Sequence, residues 1–187
     1  MKSIVILASG SGTNAENIIK YFEDSKTASV TMILSNKKEA KVLDRATIYG
    51  KSAISFNKTA FTNGHIVNFL SILKPDLIVL AGFLWKVPSD IIKAFPNKII
   101  NIHPALLPKY GGKGMYGMHV HEAVVANKET TSGITIHYVN ENYDEGNIIF
   151  QESVAITPND NAEDVAHKIH QLEYMYFPKI IEKVLND

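Results

Sequence analysis

The stretch SIVILASGSGTN at residues 3–14 decides the fold class of this chain. Its first half, residues 3–8, is a short apolar run, which is typical of a strand buried on both faces of a parallel sheet. Its second half is a turn of glycine and serine, and a helical pattern follows over 13–23. A buried strand that leads through such a turn into a helix predicts a βαβ unit.

The same alternation of strand and helix patterns continues through the first hundred residues. Apolar strand patterns occur at 30–34, 53–56, 77–80 and 98–102, and helical patterns cover 39–49 and 61–73. This alternation predicts right-handed crossovers and an α/β fold with a Rossmann-like, doubly wound, mostly parallel sheet.

The second half of the chain has a different pattern. Residues 134–139 alternate in polarity, and 148–156 follow after a loop, so we expect an antiparallel hairpin added to the parallel sheet. A long helix is predicted from residue 162, with a kink near Pro178. We find no repeat and no linker, so residues 1–187 are expected to form a single domain.

Composition excludes several classes of protein. Apolar residues make up 45% of the 187, and the 19 basic residues balance the 19 acidic ones, so no net charge favours nucleic acid. The chain has no cysteine, which removes disulfides, thiolate metal sites and a thiol nucleophile. No apolar run approaches the ~20 residues that a membrane helix needs. We therefore expect a soluble, cytoplasmic protein.

The glycine-rich turn at 9–14 is the first candidate site. Glycines permit a sharp turn, and the following helix N-terminus offers free N–H groups to an anion. The alternative is a plain strand-to-helix turn in which Ser11 or Thr13 caps the helix. The second strand ends in Ser35-Asn36-Lys37 rather than in the acidic residue that an NAD site needs, so phosphate is favoured over a dinucleotide.

The second candidate site combines Asn101, His103 and Asp144. Asn101 and His103 lie at the carboxyl end of a predicted strand, where open α/β sheets bind ligands, and alternation points them the same way. An amide beside an imidazole can stabilise an oxyanion and move a proton. The structural alternatives are a core histidine bonded to a carbonyl group and, for Asp144, a residue that only forms a turn.

The motif His119-Val120-His121 is the third candidate. Two histidines of this spacing can bind zinc, with His103 or His137 as a third ligand. A helix would direct His119 and His121 to different sides, however, and no carboxylate lies at a diagnostic spacing. Solvated or capping histidines are therefore favoured over a metal site.

Four longer stretches, read in order, resemble the phosphoribosylglycinamide formyltransferase family. They are ASGSGTN (8–14), PDLIVLAGFLWKV (75–87), NIHPALLPKYGGKGMYGMHVHEAV (101–124) and GITIHYVNENYDEGNII (133–149). The likeness continues through HQLEYMYFP (170–178), so it covers nearly the whole chain. It implies an enzyme of purine synthesis that transfers a formyl group from the co-substrate 10-formyltetrahydrofolate to the amine of glycinamide ribonucleotide.

The resemblance also implies roles for individual residues. Asn101 would donate to the oxyanion, protonated His103 would stabilise its charge, and Asp144 would orient the imidazole and help to pass the proton. The residues matched to substrate binding are Gly12, Thr13 and Asn14 at the phosphate and Glu173 at the sugar. The residues matched to folate binding are Leu84, Trp85, Lys86, Val87, Asn101, Val139, Asn140, Glu141 and Asp144.

The resemblance further divides the chain and limits its partners. Residues 1–100 would be the phosphate- or nucleotide-binding half and 101–187 the catalytic and folate-binding half. The expected partners are the two small molecules, with no metal, nucleic acid or membrane, and the expected state is a monomer or a homodimer.

Two features depart from the family's pattern. The family carries basic residues near Phe61 and directly after the AGFL turn, where they assist the tail of the folate. This sequence has Gly64 and Trp85 at the corresponding places, with Lys86 as the nearest cation. The glycine-rich loop 111–118 is also longer than in some relatives, and we expect it to act as a lid.

Other functions compete with this prediction. Methionyl-tRNA formyltransferase and formyltetrahydrofolate deformylase use the same three residue types, but each normally carries a further domain that a chain of this length is not expected to hold. A Rossmann-like nucleotide-binding module without catalysis would explain the turn and the alternation, but not the combination of Asn101, His103 and Asp144.

Overall fold

A computed structural model describes all residues, 1–187, and contains one seven-stranded sheet. Its order is β3-β2-β1-β4-β5-β6-β7. The strands are β1 (Lys2–Ala8), β2 (Ala28–Ser35), β3 (Ser52–Ser55), β4 (Leu77–Leu80), β5 (Ile99–His103), β6 (Thr131–Tyr138) and β7 (Ile148–Ala155). β1 to β5 pair in parallel, whereas β6 pairs antiparallel with both β5 and β7. The predicted α/β fold is confirmed.

Seven helices cover the two faces of the sheet. They are α1 (Thr13–Ser25), α2 (Lys41–Ile48), α3 (Lys58–Thr62), α4 (His65–Leu73), α5 (Ser89–Ala94), α6 (Met118–Ala126) and α7 (Ala162–Asn186). One apolar cluster packs α1, α2, α6 and α7 on one face, and a second packs α3, α4 and α5 on the other. Alternate residues of β1 enter the two clusters, which is why the strand is apolar throughout. No helix is long and apolar enough to cross a membrane.

The structure corrects the helix pattern predicted over 61–73. Two helices replace it, because Asn63 ends α3 and Gly64 begins α4 in the left-handed conformation at a φ of 89°. Asn57 caps α3 by accepting a hydrogen bond from the N–H of Ala60. The sequence did not predict α5, which is too short at six residues to show a clear period. α7 runs through Pro178 without interruption.

Close backbone approach fixes the β6–β7 hairpin. A Cβ added to Gly133 in β6 would lie 2.1 Å from the carbonyl oxygen of Glu152 on β7 and 2.6 Å from the Leu106 side chain. No other residue type fits there without a shift of the backbone. The hairpin therefore depends on this glycine.

We predict that Gly133→Ala lowers the free energy of unfolding by about 3 kcal/mol, because the new methyl group overlaps the paired strand. Urea denaturation followed by circular dichroism measures the change. Gly10→Ala is the matched control, since nothing lies within 4 Å of a Cβ added at Gly10. Equal stability of the two variants would contradict the close approach.

Candidate active site

A cleft of about 750 Å³ opens at the carboxyl ends of β1, β4 and β5. Its walls include the turn 9–14, the turn 81–84, residues 101–104 at the end of β5, the loop 112–119, Tyr143 and Asp144, and His170 and Glu173 of α7. Open α/β sheets bind ligands at this edge. The cleft is therefore the candidate active site.

The glycine turn enters α1 without a side-chain cap. Gly12 is the N-cap residue, with a φ of 76°, and no side chain accepts a bond from the first turn of the helix. The alternative of a Ser11 or Thr13 cap is therefore wrong, and the helix N-terminus faces the cleft. A Cβ at Gly12 would lie 2.5 Å from the Val42 side chain, so the packing of α2 also requires glycine.

Asn101, His103 and Asp144 line the cleft, and the buried His137 lies close to Asn101 and Asp144. Nδ1 of His103 lies 3.6 Å from Oδ2 of Asp144, and Nε2 of His137 lies 3.6 Å from Oδ1 of the same carboxylate. Nδ2 of Asn101 lies 3.1 Å from Nε2 of His137. The antiparallel register places His137 directly opposite Asn101.

Hydrogen bonds determine which ring nitrogens carry protons. Nε2 of His103 lies 2.7 Å from the carbonyl oxygen of Tyr110, and Nδ1 of His137 lies 2.9 Å from that of Tyr138. A carbonyl oxygen only accepts, so each of these nitrogens must donate. Nδ1 is therefore the nitrogen of His103 that faces Asp144, and Nε2 of His137 faces both Asn101 and Asp144.

Burial and charge set the protonation of the cluster. Burial lowers the pKa of His103 below its usual value, and neighbouring Asp144 offsets this only in part. Burial alone would raise the pKa of Asp144, but His137, His103 and the N–H of Gly112 outweigh it, so this pKa lies below its usual value. At neutral pH the cluster therefore combines an ionised carboxylate with a mainly neutral His103.

The turn between β6 and β7 presents Asp144 from a left-handed backbone, with a φ of 56°. Aspartate tolerates this region better than most residues. The turn is closed tightly, because a Cβ at Gly146 would lie 1.7 Å from the carbonyl oxygen of Tyr138. Oδ2 of Asp144 accepts the N–H of Gly112 at 2.9 Å, which joins the 111–118 loop to the cluster.

Glu173 faces the same cleft from α7. It is only 6% exposed, and Oε2 accepts a bond from Nδ2 of Asn14 at 2.8 Å. Burial raises the pKa of Glu173 to about 7, although the bond from Asn14 lowers it in part. The predicted sugar contact and the predicted phosphate turn are therefore neighbours.

Only some of the residues matched to folate binding line the cleft. Leu84, Asn101 and Asp144 line the cleft, whereas the side chains of Trp85, Lys86, Val87, Val139, Asn140 and Glu141 are not part of its lining. Val87 is buried in the second apolar cluster, and Trp85 packs beside Phe61. Nζ of Lys58 lies 4.5 Å from the centre of the Trp85 ring, so a cation does lie near Phe61.

His119 and His121 both lie in α6, but their side chains have different environments. His119 is largely exposed and lies 3.6 Å from Glu122, whereas His121 is 2% exposed. No three acidic, histidine or cysteine side chains are grouped so that they could hold a metal ion.

Sequence reasoning did not assign His137 to the cluster and gave no role to His170 in the cleft wall. His137 lies in the alternating 134–139 pattern, which predicts its face of the sheet. Its partner on β5 depends on the register, which that pattern does not contain.

Comparison with known proteins gives consistent matches. Residues 2–181 match the model of the family described as "Formyl transferase". A Bacillus subtilis phosphoribosylglycinamide formyltransferase is 34% identical over 99% of this chain and 95% of its own length. An Arabidopsis thaliana chloroplastic phosphoribosylglycinamide formyltransferase is 34% identical over the whole chain, which spans 66% of that relative.

A solved structure agrees with these matches. The glycinamide ribonucleotide transformylase 1 of Symbiobacterium toebii superimposes with a TM-score of 0.91 at 30% identity, over 100% of this chain and 88% of that one. The match of fold and sequence along nearly the full length shows that this chain belongs to the formyl transferase family, among the phosphoribosylglycinamide formyltransferases.

Proposed function

We propose that this protein transfers the formyl group of 10-formyltetrahydrofolate to the amine of glycinamide ribonucleotide. The observation that carries the proposal is the convergence of Asn101, His103 and Asp144 in a cleft that also contains an uncapped helix N-terminus. The B. subtilis relative carries the corresponding name.

The reaction needs one bond made, one bond broken and one proton moved. The amine nitrogen attacks the formyl carbon, and the carbonyl electrons move to oxygen. Nδ2 of Asn101 carries a second N–H, which donates to this oxyanion. The C–N bond to the folate then breaks, and the proton lost by the amine ends on the folate nitrogen.

His103 and Asp144 handle that proton. Because His103 is mainly neutral before the reaction, it takes up the amine proton rather than supplying one already present. The resulting cation is stabilised by the ionised Asp144 and, in turn, stabilises the oxyanion. In this order the imidazolium forms during the reaction, whereas the resemblance implies an imidazole that is protonated from the start.

The two substrates approach from different walls of the cleft. Gly12, Thr13 and Asn14 hold the phosphate through their N–H groups, and Glu173 accepts from the sugar hydroxyls. Leu84 lies on one side of the pterin, and Tyr143 and Asp144 lie on the other. Lys58, held over Trp85, provides the positive charge for the carboxylates of the folate tail.

The loop 111–118 closes over the substrates. Its base is fixed to the cluster, since Tyr110 accepts from His103 and Gly112 donates to Asp144. Closure would exclude water and protect the formyl group from hydrolysis.

Purified protein mixed with glycinamide ribonucleotide and 10-formyltetrahydrofolate tests the proposal directly. We expect formylated product from both substrates together and none when the ribonucleotide is omitted. Hydrolysis of formylfolate without an acceptor, or formylation of methionyl-tRNA alone, would contradict it.

We predict that His103→Asn and Asp144→Asn each reduce kcat by about 100-fold or more, because both residues act on the same proton. The double variant should lose little beyond the poorer single variant. Single-turnover rates with saturating substrates give these values. Losses that multiply fully would show that the two residues act independently.

We predict that Glu173 makes stability depend on pH. Its pKa is raised from 4.5 to about 7 in the folded protein, so its contribution is complete below pH 4.5 and is lost as the pH rises through about 7. Glu173→Gln cannot ionise. Its stability relative to the wild type should therefore increase between pH 4 and 8, by on the order of 3 kcal/mol.

Urea denaturation at intervals of pH measures this difference. Glu39→Gln is the control, because Glu39 is exposed. Parallel profiles for wild type and Glu173→Gln would mean that the carboxyl group is not perturbed.

We predict that Lys58→Met weakens binding of a folate with a glutamate tail about fivefold, since an exposed ion pair contributes up to ~1 kcal/mol. Affinity for glycinamide ribonucleotide should stay unchanged. Isothermal titration calorimetry measures both, with Lys179→Met on the exposed side of α7 as control. The same loss for a folate without the glutamate would contradict a role at the tail.

A further inference from the structure

Tyr110 is the one aromatic residue of the chain in the left-handed region, with a φ of 56°. This conformation is uncommon for a bulky side chain and costs free energy, so it persists only where surrounding contacts hold it. Tyr110 comes directly before the 111–118 loop, and its carbonyl oxygen accepts a hydrogen bond from Nε2 of His103 at 2.7 Å. The strained residue is therefore a direct partner of the His103 imidazole.

The side chain of Tyr110 is anchored outside the cleft. Its hydroxyl donates to Oε1 of Glu129 at 2.9 Å, and Nζ of Lys109 lies 3.0 Å from the same oxygen. Glu129 lies in the turn between α6 and β6, where its own N–H donates to the carbonyl oxygen of Val124 at 3.2 Å. Neither Tyr110 nor Glu129 lines the cleft. Their hydrogen bond therefore joins the partner of His103 to a turn that has no place at the substrates.

Packing alone does not require the hydroxyl group of Tyr110. The ring packs against the first apolar cluster, which a phenylalanine ring would do equally well. The two preceding residues, Pro108 and Lys109, are exposed, so few contacts hold this segment. The bond to Glu129 is therefore the side-chain contact that fixes where Tyr110 lies.

Two groups compete for the proton of the neutral His103 ring. Asp144 lies 3.6 Å from Nδ1, and the carbonyl oxygen of Tyr110 lies on the Nε2 side. The carboxylate favours a proton on Nδ1, whereas the carbonyl oxygen, which only accepts, favours a proton on Nε2. With the carbonyl group in place, Nε2 keeps its proton and Nδ1 is left to take up the proton of the substrate amine. Without it, the ring can place its one proton on Nδ1, against Asp144.

We propose that Tyr110 and Glu129 are positioning residues for formyl transfer. Their hydrogen bond holds the left-handed backbone of Tyr110, so that its carbonyl oxygen keeps the proton of His103 on Nε2 and leaves Nδ1 for the chemistry. This proposal rests on the proposed function. It gives the α6–β6 turn, which lies outside the cleft, a part in orienting the catalytic imidazole.

Four single variants test the proposal. Tyr110→Phe and Glu129→Ala each break the bond, whereas Glu129→Gln keeps an oxygen that accepts from the hydroxyl, and Lys109→Met removes only the neighbouring charge. We expect the first two variants to lower kcat about fivefold or more, with the KM of each substrate within about twofold, because neither residue touches a substrate. In Glu129→Gln and Lys109→Met, kcat should stay within about twofold of the wild type.

Nuclear magnetic resonance of the imidazole nitrogens separates positioning from stability. In the ligand-free wild type at about pH 8, where the ring is neutral, we expect the ¹⁵N shifts of His103 to show the proton on Nε2. In Tyr110→Phe a measurable fraction of the proton should move to Nδ1. The spectrum of His103→Asn identifies the signals of His103 among the seven histidines. A bond that only stabilised the fold would lower the Tm and leave the proton on Nε2.

Several results would overturn the proposal. An unchanged kcat in Tyr110→Phe, an unchanged position of the His103 proton in that variant, or an equal loss of kcat in Lys109→Met would each do so. If the wild type does not formylate glycinamide ribonucleotide, the proposed function fails, while the nitrogen shifts still test whether Tyr110 sets the protonated nitrogen of His103. If the wild type is active and the proton stays on Nε2 in Tyr110→Phe, only the positioning role fails.

Discussion

The antiparallel pairing of β5 with β6 is the constraint on which the rest of the site depends. It places His137 opposite Asn101 and brings the Asp144 turn back over the carboxyl end of β5, within 3.6 Å of His103. A shift of one residue would turn His137 to the opposite face of the sheet. Gly133 and Gly146 permit the close approaches within the β6–β7 hairpin that carries the Asp144 turn.

Within that frame, one carboxylate organises the polar groups. Asp144 remains ionised although burial opposes it, because two imidazoles and the N–H of Gly112 surround it. The same N–H begins the 111–118 loop, so the position of the loop and the charge of the cluster are linked. In a buried environment such hydrogen bonds are stronger than in water, and a polar group without a hydrogen-bond partner destabilises the fold more. This is why the cluster forms as a unit.

A second polar link connects the two walls of the cleft. The buried hydroxyl of Ser9 donates to Oδ1 of Asn36 at 2.6 Å and accepts the N–H of Leu84 at 2.9 Å. Ser9 opens the glycine turn, and Leu84 ends the turn after β4. The backbone N–H of Ser9 also donates to the carbonyl oxygen of Gly82 at 3.0 Å, so Ser9 joins the two walls through both its side chain and its backbone.

The sequence by itself determined the fold class and placed Asn101 and His103 at a strand end, because strand periodicity, glycine turns and polar residues at strand ends are local signals. The family and the role of Asp144 followed instead from the resemblance of longer motifs. It did not determine the break at Gly64, since two short helices show almost the same period as one. Tertiary structure alone decided that His137 joins the cluster, that Lys58 lies over Trp85, and that His121 is buried in the cleft wall. Each depends on register or on packing between elements distant in the chain. Local sequence patterns do not predict these contacts, because the neighbours of a residue in the sequence are the same whichever strand or helix packs against it.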